Sequence, residues 1–348
     1  MTSASPPSDD AVRGALRTVS ARGELTREAA RSALGAVFGG AATPAQIGAL
    51  LMGIQVRGIS AAEVTGFAEA MREAAVPLAP PVPGAVDVCG TGGDSSGTIN
   101  ISTGAGLIAA ACGLKIAKHG NRSITSRSGS ADILEALGIP IELPPEEARA
   151  AIEDPGFAFL FAPKYHPAMR HVGPVRRELG IRTVFNILGP LTNPAGVKRQ
   201  LLGIFDDGLR PLVARVLRDL GSERVWVVHC PLASGGGLDE IGLCGPTRVS
   251  ALEDGEIREM EIAPEDADLA HHPLEALQGG DAAHNAVRIL AALSGAQGAD
   301  RDSIVLNAAA ALLVGGLARD LREGAALAQE AIDSGRARRL VEELRRPR

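Results

Sequence analysis

The chain has 348 residues, 45% of them hydrophobic, which is enough for one large or two ordinary globular domains. Its formal net charge is −6, from 35 basic and 41 acidic residues, and this argues against a surface that binds nucleic acid over the whole protein. No apolar run approaches a membrane span, and an aromatic content of 3% argues against a platform that stacks nucleic-acid bases.

The N-terminal part is predicted to be helical. Residues 1–10 are polar and contain two prolines, and we expect them to form a disordered tail. Residues 11–78 are expected to form a small helical domain, in which Thr43-Pro-Ala-Gln46 and Ser60-Ala-Ala-Glu63 are capping boxes that begin two helices. Four prolines in residues 77–83 predict a stiff linker and therefore a domain boundary.

The remainder, residues 79–348, is predicted to be an α/β domain with a mainly parallel central sheet, because strand-like and helical runs alternate along it. The strand-like runs are 85–89, 114–117, 157–161, 201–205 and 224–230. The helical runs between them are 103–112, 130–137, 145–153 and 208–220. The last third is expected to be helical over 283–294, 302–316 and 323–346.

The most informative segment is a glycine-rich loop between a strand and a helix. Residues 88–103 read VCGTGGDSSGTINIST, and we call residues 90–103 the glycine loop. Glycines let backbone N–H groups approach an anion, and the following helix start adds unpaired N–H groups. Asp94 and the polar side chains of Thr98, Asn100, Ser102 and Thr103 suit sugar hydroxyls or a hard metal ion. The loop is neither a Walker A nor a dinucleotide-binding motif. It favours a phosphorylated sugar with a metal over a plain tight turn.

A second polar segment follows the next strand-like run. Residues 118–130 contain three cations, four serines and two glycines. Lys118 can supply a point charge to phosphate, and Arg122 or Arg127 a planar fork. An ordinary basic loop before a helix is the alternative, but ligands of α/β sheets bind at strand ends, which favours a phosphate site.

Three weaker features remain. Asp239-Glu240 follows a glycine turn and can hold Mg²⁺, although acidic pairs on loops are common. His119 and His166 are candidate general bases, but packing roles are the default, since neither has a Ser or Cys partner in the sequence. Four cysteines without Cys-x-x-Cys spacing predict reduced thiols in a cytoplasmic protein.

Together these segments closely resemble the anthranilate phosphoribosyltransferase family. The likeness covers nearly the whole chain after residue 20. The matching segments are 90–94, 98–103, 118–123, 128–132, 161–166, 174–177, 182–194, 237–241 and 245–248. Two small departures are Arg127, where Lys is usual, and Gly242, where Ser is common.

The resemblance implies transfer of the phosphoribosyl group of 5-phosphoribosyl 1-pyrophosphate (PRPP) to the amine of anthranilate, a step of tryptophan biosynthesis. It implies a PRPP site formed by Gly90, Gly93, Asp94, Thr98, Asn100, Ile101, Ser102, Thr103, Lys118, His119, Gly120, Asn121, Arg122, Ser123, Ile124, Thr125, Ser126 and Ser130. It implies an anthranilate site formed by Gly90, His119, Asn121, His166, Arg176 and Pro190. Ser102, Asp239 and Glu240 match the ligands of Mg²⁺, with two ions expected. Lys118, Arg176 and Asp94 are the expected catalytic residues.

The resemblance also implies the nucleoside-phosphorylase-like phosphoribosyltransferase fold, with residues of about 166–190 joining the helical domain, and a homodimer formed through that domain. Neither a nucleic acid nor a membrane is an expected partner. Two alternatives stay open at this point: a pyrimidine-nucleoside phosphorylase-like enzyme, and a non-catalytic relative that binds nucleic acid.

Overall fold

The computed structural model describes residues 9–123, 127–233 and 235–346. Its N-terminal unit consists of four helices: α1 (Asp9–Ser20), α2 (Arg27–Phe38), α3 (Pro44–Arg57) and α4 (Ala61–Glu73). Both predicted capping boxes are present, at Thr43 and at Ser60. The last two residues of the predicted tail, 9 and 10, already belong to helix α1, because an acidic residue such as Asp10 is favoured in the first turn of a helix. Residues 1–8 of the predicted tail lie outside the described residues.

The sheet of the larger unit contains all eight strands of the described residues. They are β1 (Val86–Gly90), β2 (Ile116–Gly120), β3 (Phe157–Phe161), β4 (Arg199–Gly203), β5 (Arg224–Pro231), β6 (Gly237–Leu238), β7 (Thr247–Glu253) and β8 (Glu256–Ile262). Their order is β3-β2-β1-β4-β5-β7-β8, and the short β6 pairs with β5. The five strands predicted from the sequence pair in parallel, whereas β7 and β8 are antiparallel.

Helices cover both faces of this sheet. They are α5 (Ile101–Ala111), α6 (Ser130–Ala136), α7 (Pro145–Glu153), α8 (Ala162–Tyr165), α9 (Gly173–Leu179), α10 (Phe185–Leu188), α11 (Arg210–Asp219), α12 (Ala282–Leu293), α13 (Ala299–Gly315), α14 (Leu321–Asp333) and α15 (Arg336–Leu344). Among the described residues, no helix has the length and apolar character needed to span a membrane.

Of the three apolar cores among the described residues, the two largest lie on opposite faces of the sheet. One core surrounds α5 and α13. The other is continuous from α1–α4 through α9, α10 and α11 to the apolar side chains of β4 and β5. Val175 and Phe185 therefore pack in the same core as the N-terminal helices, although they lie far along the chain.

The C-terminal third differs from the sequence-based expectation at two places. The β7–β8 hairpin was not predicted, because most of β8 faces solvent and lacks a regular apolar alternation. Its Asp254-Gly255 turn, with positive φ at both residues, is a recognisable hairpin signal. The helix predicted over 323–346 is two helices, since Gly335 adopts a φ of 76° between them.

Candidate functional site

The site lies where the strand order of the parallel sheet reverses. From β1 the chain proceeds to β2 and β3 on one side, then returns to β4 and β5 on the other. Ligands of open α/β sheets bind at the carboxyl ends of the strands at such a point. The glycine loop begins at this end of β1, where Gly90 pairs with Gly203 of β4.

Two glycines at these strand ends make room for the Asp239 turn. A Cβ on Gly203 would lie 1.6 Å from the Asp239 carbonyl oxygen, and one on Gly90 would lie 2.5 Å from Asp239 Oδ2. Any side chain at either position would push the turn away from the sheet. Gly90 was singled out in the sequence, whereas Gly203 was missed because a lone glycine at a strand end carries no motif.

The turn is tied to the glycine loop by its two carboxylates. Asp239 Oδ2 accepts a hydrogen bond from Gly92 N at 2.6 Å, and Glu240 Oε1 accepts one from Ser102 N at 3.0 Å. From the opposite side, Asn307 of α13 exchanges two hydrogen bonds with the Ile241 backbone. The structure therefore brings Ser102, Asp239 and Glu240, the predicted metal ligands, into one cluster.

This cluster brings several carboxyl groups close together in a buried position. Burial raises the pKa of Asp239 well above its ordinary value, and the nearby charges of Asp94 and Glu240 raise it further. Burial likewise raises the pKa of Glu240 to about 7, although the Lys118 ammonium lowers it in part. A bound cation would relieve this repulsion.

The donor set suits a hard divalent cation. It consists of carboxylate oxygens and the Ser102 hydroxyl, which are ligands that Mg²⁺ prefers. In the part of the chain that the structure describes, no three His, Cys, Asp or Glu side chains are grouped closely enough to hold a metal by themselves. The protein would thus supply part of the coordination shell, and water or substrate phosphates the rest, which is usual for Mg²⁺.

Lys118 lies beneath the glycine loop rather than on its open side. Its side chain is buried, and its Nζ donates to the Val88 carbonyl and to Ser102 Oγ. Burial lowers the pKa of Lys118, while the charge of Asp87 opposes this shift. The ammonium thus supports the loop and the Asp239–Glu240 turn from below.

The other predicted loop residues line the start of α5. Asp94 Oδ1 accepts from Ser96 N, and Thr98 forms an isolated bridge with Gln278. Asn100 contacts Ser128, which belongs to the predicted polar segment 118–130, and Asn285, which sequence reasoning missed. Ile101 and Thr103 are buried in the first turn, where Thr103 Oγ1 has no hydrogen-bond partner. Gly93 has a φ of 74°, and its carbonyl accepts from Arg182, which was also missed.

The basic segment after β2 faces a different neighbour. Gly120 ends the strand against Phe159, and the exposed Asn121 and Arg122 follow. Arg122 pairs with Asp132 and Glu135 of α6 instead of pointing at the glycine loop. Ser123 N donates to Asp132 Oδ2, and Ser130 is the first residue of α6. The predicted residues Ile124, Thr125 and Ser126 lie outside the described residues.

Two buried histidines lie together on the other side of β2. The ring centroids of His119 and His166 are 5.1 Å apart. Burial lowers the pKa of His119 to about 3 and that of His166 to about 4, so both rings are neutral at pH 7. His119 Nε2 and both ring nitrogens of His166 lack a hydrogen bond of ordinary geometry, and weak contacts with the Gly189 and Thr192 backbones only slightly oppose the shifts.

Arg176 supplies a cation that forms no ion pair with any of the described residues. It lies on α9 with its guanidinium 5.3 Å from the centre of the Phe185 ring. Burial lowers the pKa of Arg176, and no carboxylate of the described residues forms an ion pair with it. Pro190 is buried in the short helical turn Gly189–Thr192, which packs on α4 and β2.

Comparison with known proteins decides the family. The family model described as glycosyl transferase family, a/b domain, matches residues 82–338, and the corresponding helical bundle domain matches residues 13–75. Anthranilate phosphoribosyltransferase of Rhodopseudomonas palustris (strain TIE-1) is 52% identical over 320 residues, which cover 92% of this chain and 93% of that protein. The chain belongs to the anthranilate phosphoribosyltransferase family.

Solved structures of this family agree with the assignment. The enzyme of Thermus thermophilus superposes with a TM-score of 0.89 at 44% identity, covering 97% of this chain and 98% of that one. The enzyme of Saccharomyces cerevisiae in complex with PRPP and Mg superposes with a TM-score of 0.87 at 27% identity, covering 98% of both chains. The predicted fold class and the resemblance to the anthranilate phosphoribosyltransferase family are confirmed. Neither the nucleoside phosphorylase nor the nucleic-acid-binding alternative is favoured.

Proposed function

We propose that the protein transfers the phosphoribosyl group of PRPP to the amine of anthranilate, giving N-(5-phosphoribosyl)anthranilate and pyrophosphate in tryptophan biosynthesis. The observation that carries the proposal is the meeting of the glycine loop with the buried Asp239–Glu240 turn at the switch point of the sheet, in a member of this family. This arrangement offers N–H donors for phosphate beside oxygen ligands for a cation.

The donor substrate would occupy the glycine loop. Gly90 and Gly93 would let backbone N–H groups approach the pyrophosphate, Asp94 and Asn100 would face the ribose hydroxyls, and α5 would present its N-terminal end to the phosphates. Ile101 and Thr103 complete the first turn of that helix. The remaining PRPP contacts would come from the predicted residues between Lys118 and Ser130. Arg122 can contribute only by leaving its partners on α6, so we expect it to contribute least.

Ser102, Asp239 and Glu240 would hold Mg²⁺, and two ions are expected. When bound, Mg²⁺ neutralises charge on the pyrophosphate leaving group. The protein's own part is electrostatic and positional, because Lys118 fixes Ser102 and balances the carboxylates from below.

The acceptor would lie between the helical unit and the end of β2. Arg176 would bind the carboxylate of anthranilate, since its half-buried guanidinium has no ion pair within the described residues. The neutral rings of His119 and His166, with Pro190 nearby, would line the channel and present nitrogens able to bond a polar aromatic ligand.

In the reaction, the anthranilate nitrogen forms a bond to the anomeric carbon while the bond from that carbon to pyrophosphate breaks. The amine then loses a proton to water. An aromatic amine is neutral at pH 7 and attacks without prior deprotonation, so the site needs no dedicated general base. Holding the two reactants in line provides most of the acceleration.

We further propose a cytoplasmic homodimer formed through the helical unit. Met52 and Val56 lie one turn apart on α3 and are 36% and 79% exposed, which is unusual for a pair of large apolar side chains on one helix face. The four cysteines of the chain are unbridged, as expected in a reducing compartment.

The test is the loss of anthranilate fluorescence in the presence of PRPP and Mg²⁺. We expect anthranilate to be consumed only when both PRPP and Mg²⁺ are present. Consumption of anthranilate in the absence of either PRPP or Mg²⁺ would contradict the proposal. A parallel reaction with uridine and inorganic phosphate tests the nucleoside phosphorylase alternative. Filter binding of single-stranded DNA at physiological salt tests the nucleic-acid-binding alternative. Activity or binding in those arms alone would favour the alternatives.

A further inference from the structure

A buried carboxylate that takes no part in the proposed chemistry lies three residues before the glycine loop. Asp87 is fully buried in β1. Strands β1 and β2 stay side by side, but their backbone register pairing is confined to Val86 and Ile116. Next to that pair, Asp87 Oδ1 accepts a hydrogen bond from His119 N at 3.2 Å. The carboxylate therefore replaces the missing ladder bond at the strand residue that carries His119.

The second oxygen of Asp87 leads to another buried polar side chain. Gln200 is directly opposite Asp87 in the β1–β4 register and is 3% exposed. Its Nε2 lies 3.4 Å from Asp87 Oδ2 and donates to the Pro190 carbonyl at 2.8 Å, with Cys89 Sγ at 3.2 Å. Asp87 and Gln200 thus form a hydrogen-bonded chain that joins His119 N to the Pro190 carbonyl.

A parallel connection fastens the same segment to the sheet. Asn193, just after the turn that contains Pro190, donates through Nδ2 to the Ala117 carbonyl of β2 at 2.8 Å. The segment that carries Pro190 is therefore held to β2 directly and through β1 and β4. The core formed by the helical unit surrounds this connection on one side.

Burying this polar network costs more free energy than filling the same space with apolar side chains. A buried carboxylate and amide lose their hydration, and an apolar pair of the same shape is often at least as stable. What the polar network adds is direction, because hydrogen bonds fix the distance between His119 and the Pro190 segment in a way that apolar packing does not. Both of these residues belong to the proposed acceptor channel.

We propose that Asp87 and Gln200 are positioning residues for the acceptor. Without touching substrate, they set the separation of His119 and Pro190 and so aim the amine of anthranilate at the anomeric carbon. The inference rests on the proposed function, since it needs anthranilate to lie in that channel.

The test separates the two substrates kinetically. Gln200→Met keeps the length of the side chain and removes its N–H donors. We expect the KM for anthranilate to rise about three- to tenfold, the effect of one lost hydrogen bond, while the KM for PRPP changes less than about twofold. Ile289→Val, in the core on the far side of the sheet, is the matched control for a simple loss of stability.

A second variant covers the case in which Gln200→Met does not fold. Asp87→Asn keeps the shape but places an amide opposite Gln200, so a rise in the KM for anthranilate is again expected, with a smaller rise in the KM for PRPP because the charge of Asp87 also supports the Lys118 ammonium. Where both variants fold, the rise in the KM for anthranilate in the double variant should be smaller than the product of the rises in the single variants. Both substitutions interrupt the same hydrogen-bonded chain, so the second has little left to remove. Equal changes in both KM values, or a lowered melting temperature with unchanged KM values, would overturn the inference. Failure of the wild-type protein to consume anthranilate would instead overturn the proposed function.

Discussion

Replacing Gly203 by Ala should disable the site, although Gly203 is not itself one of the predicted substrate-binding residues. The Cβ of the new residue would lie 1.6 Å from the Asp239 carbonyl oxygen and 2.2 Å from its carbonyl carbon. Strand β4 cannot give way easily, because Gly203 is paired to Gly90 on one side and to Val228 on the other. The Asp239 turn must therefore move.

The size of the effect follows from that displacement. The carbonyl oxygen has to withdraw from 1.6 Å to at least 3.0 Å, a shift of about 1.4 Å. Such a shift breaks the 2.6 Å hydrogen bond from Gly92 N to Asp239 Oδ2 and misplaces the oxygen donors of the turn. A misplacement of about 1 Å lowers a rate by about 100-fold, and overpacking lowers stability by about 1–3 kcal/mol.

The assay is kcat/KM for anthranilate consumption as a function of Mg²⁺ concentration, together with thermal unfolding. We expect Gly203→Ala to require more Mg²⁺ and to lose about 100-fold in kcat/KM. Gly245→Ala is the matched control, because Gly245 lies just beyond the same turn and a Cβ there meets nothing within 4 Å. A Gly203→Ala protein with the Mg²⁺ response and kcat/KM of the wild type would refute this account of the turn.

Three further predictions concern single parts of the site. Arg176→Ala should raise the KM for anthranilate at least about tenfold and that for PRPP far less, as expected for a lost charged hydrogen bond; equal rises would exclude the role. The double variant Asp239→Ala, Glu240→Ala should weaken the Mg²⁺-dependent activity; an unchanged Mg²⁺ titration would show that these carboxylates bind no metal. His166 has an ordinary pKa of 6.5 and a folded pKa of about 4, so its contribution to stability is present above pH 6.5 and is lost as the pH falls toward 4. The pH dependence of unfolding should therefore be shallower over that range for His166→Gln, and an identical slope would contradict the depressed pKa.

Local sequence patterns predicted the parts of the fold whose signal is local. The capping boxes at Thr43 and Ser60 begin their helices as expected, and the five parallel strands follow apolar runs. Strand β8 was not predicted because most of it faces solvent, and its pairing with β7 rather than its own composition makes it a strand. The break at Gly335 lies in a run that otherwise has helical spacing, and only the φ of that residue reveals it.

The site also contains features that have a local sequence signal and features that do not. The glycine loop and the Asp239–Glu240 pair were each visible in the sequence, but nothing local joins them, since their contact depends on Gly203 in a third segment. The proximity of the His119 and His166 rings could not be predicted either, because it depends on where α8 leaves β3. Asp87 and Gln200 read as ordinary polar residues in apolar runs, and only the register of β1 and β4 makes them a pair.

The alternation of side chains along β2 can be read from the sequence, and it relates the proposed PRPP site to the proposed acceptor channel. Neighbouring residues of a strand point to opposite faces, so Lys118 and His119 cannot serve the same side of the sheet. The structure places Lys118 toward Ser102 and Glu240, and His119 toward His166. Since the first group belongs to the proposed PRPP site and the second to the proposed acceptor channel, we expect the two substrates to approach from opposite faces of β2. They would then react around the carboxyl end of that strand, beside the start of the glycine loop at Gly90.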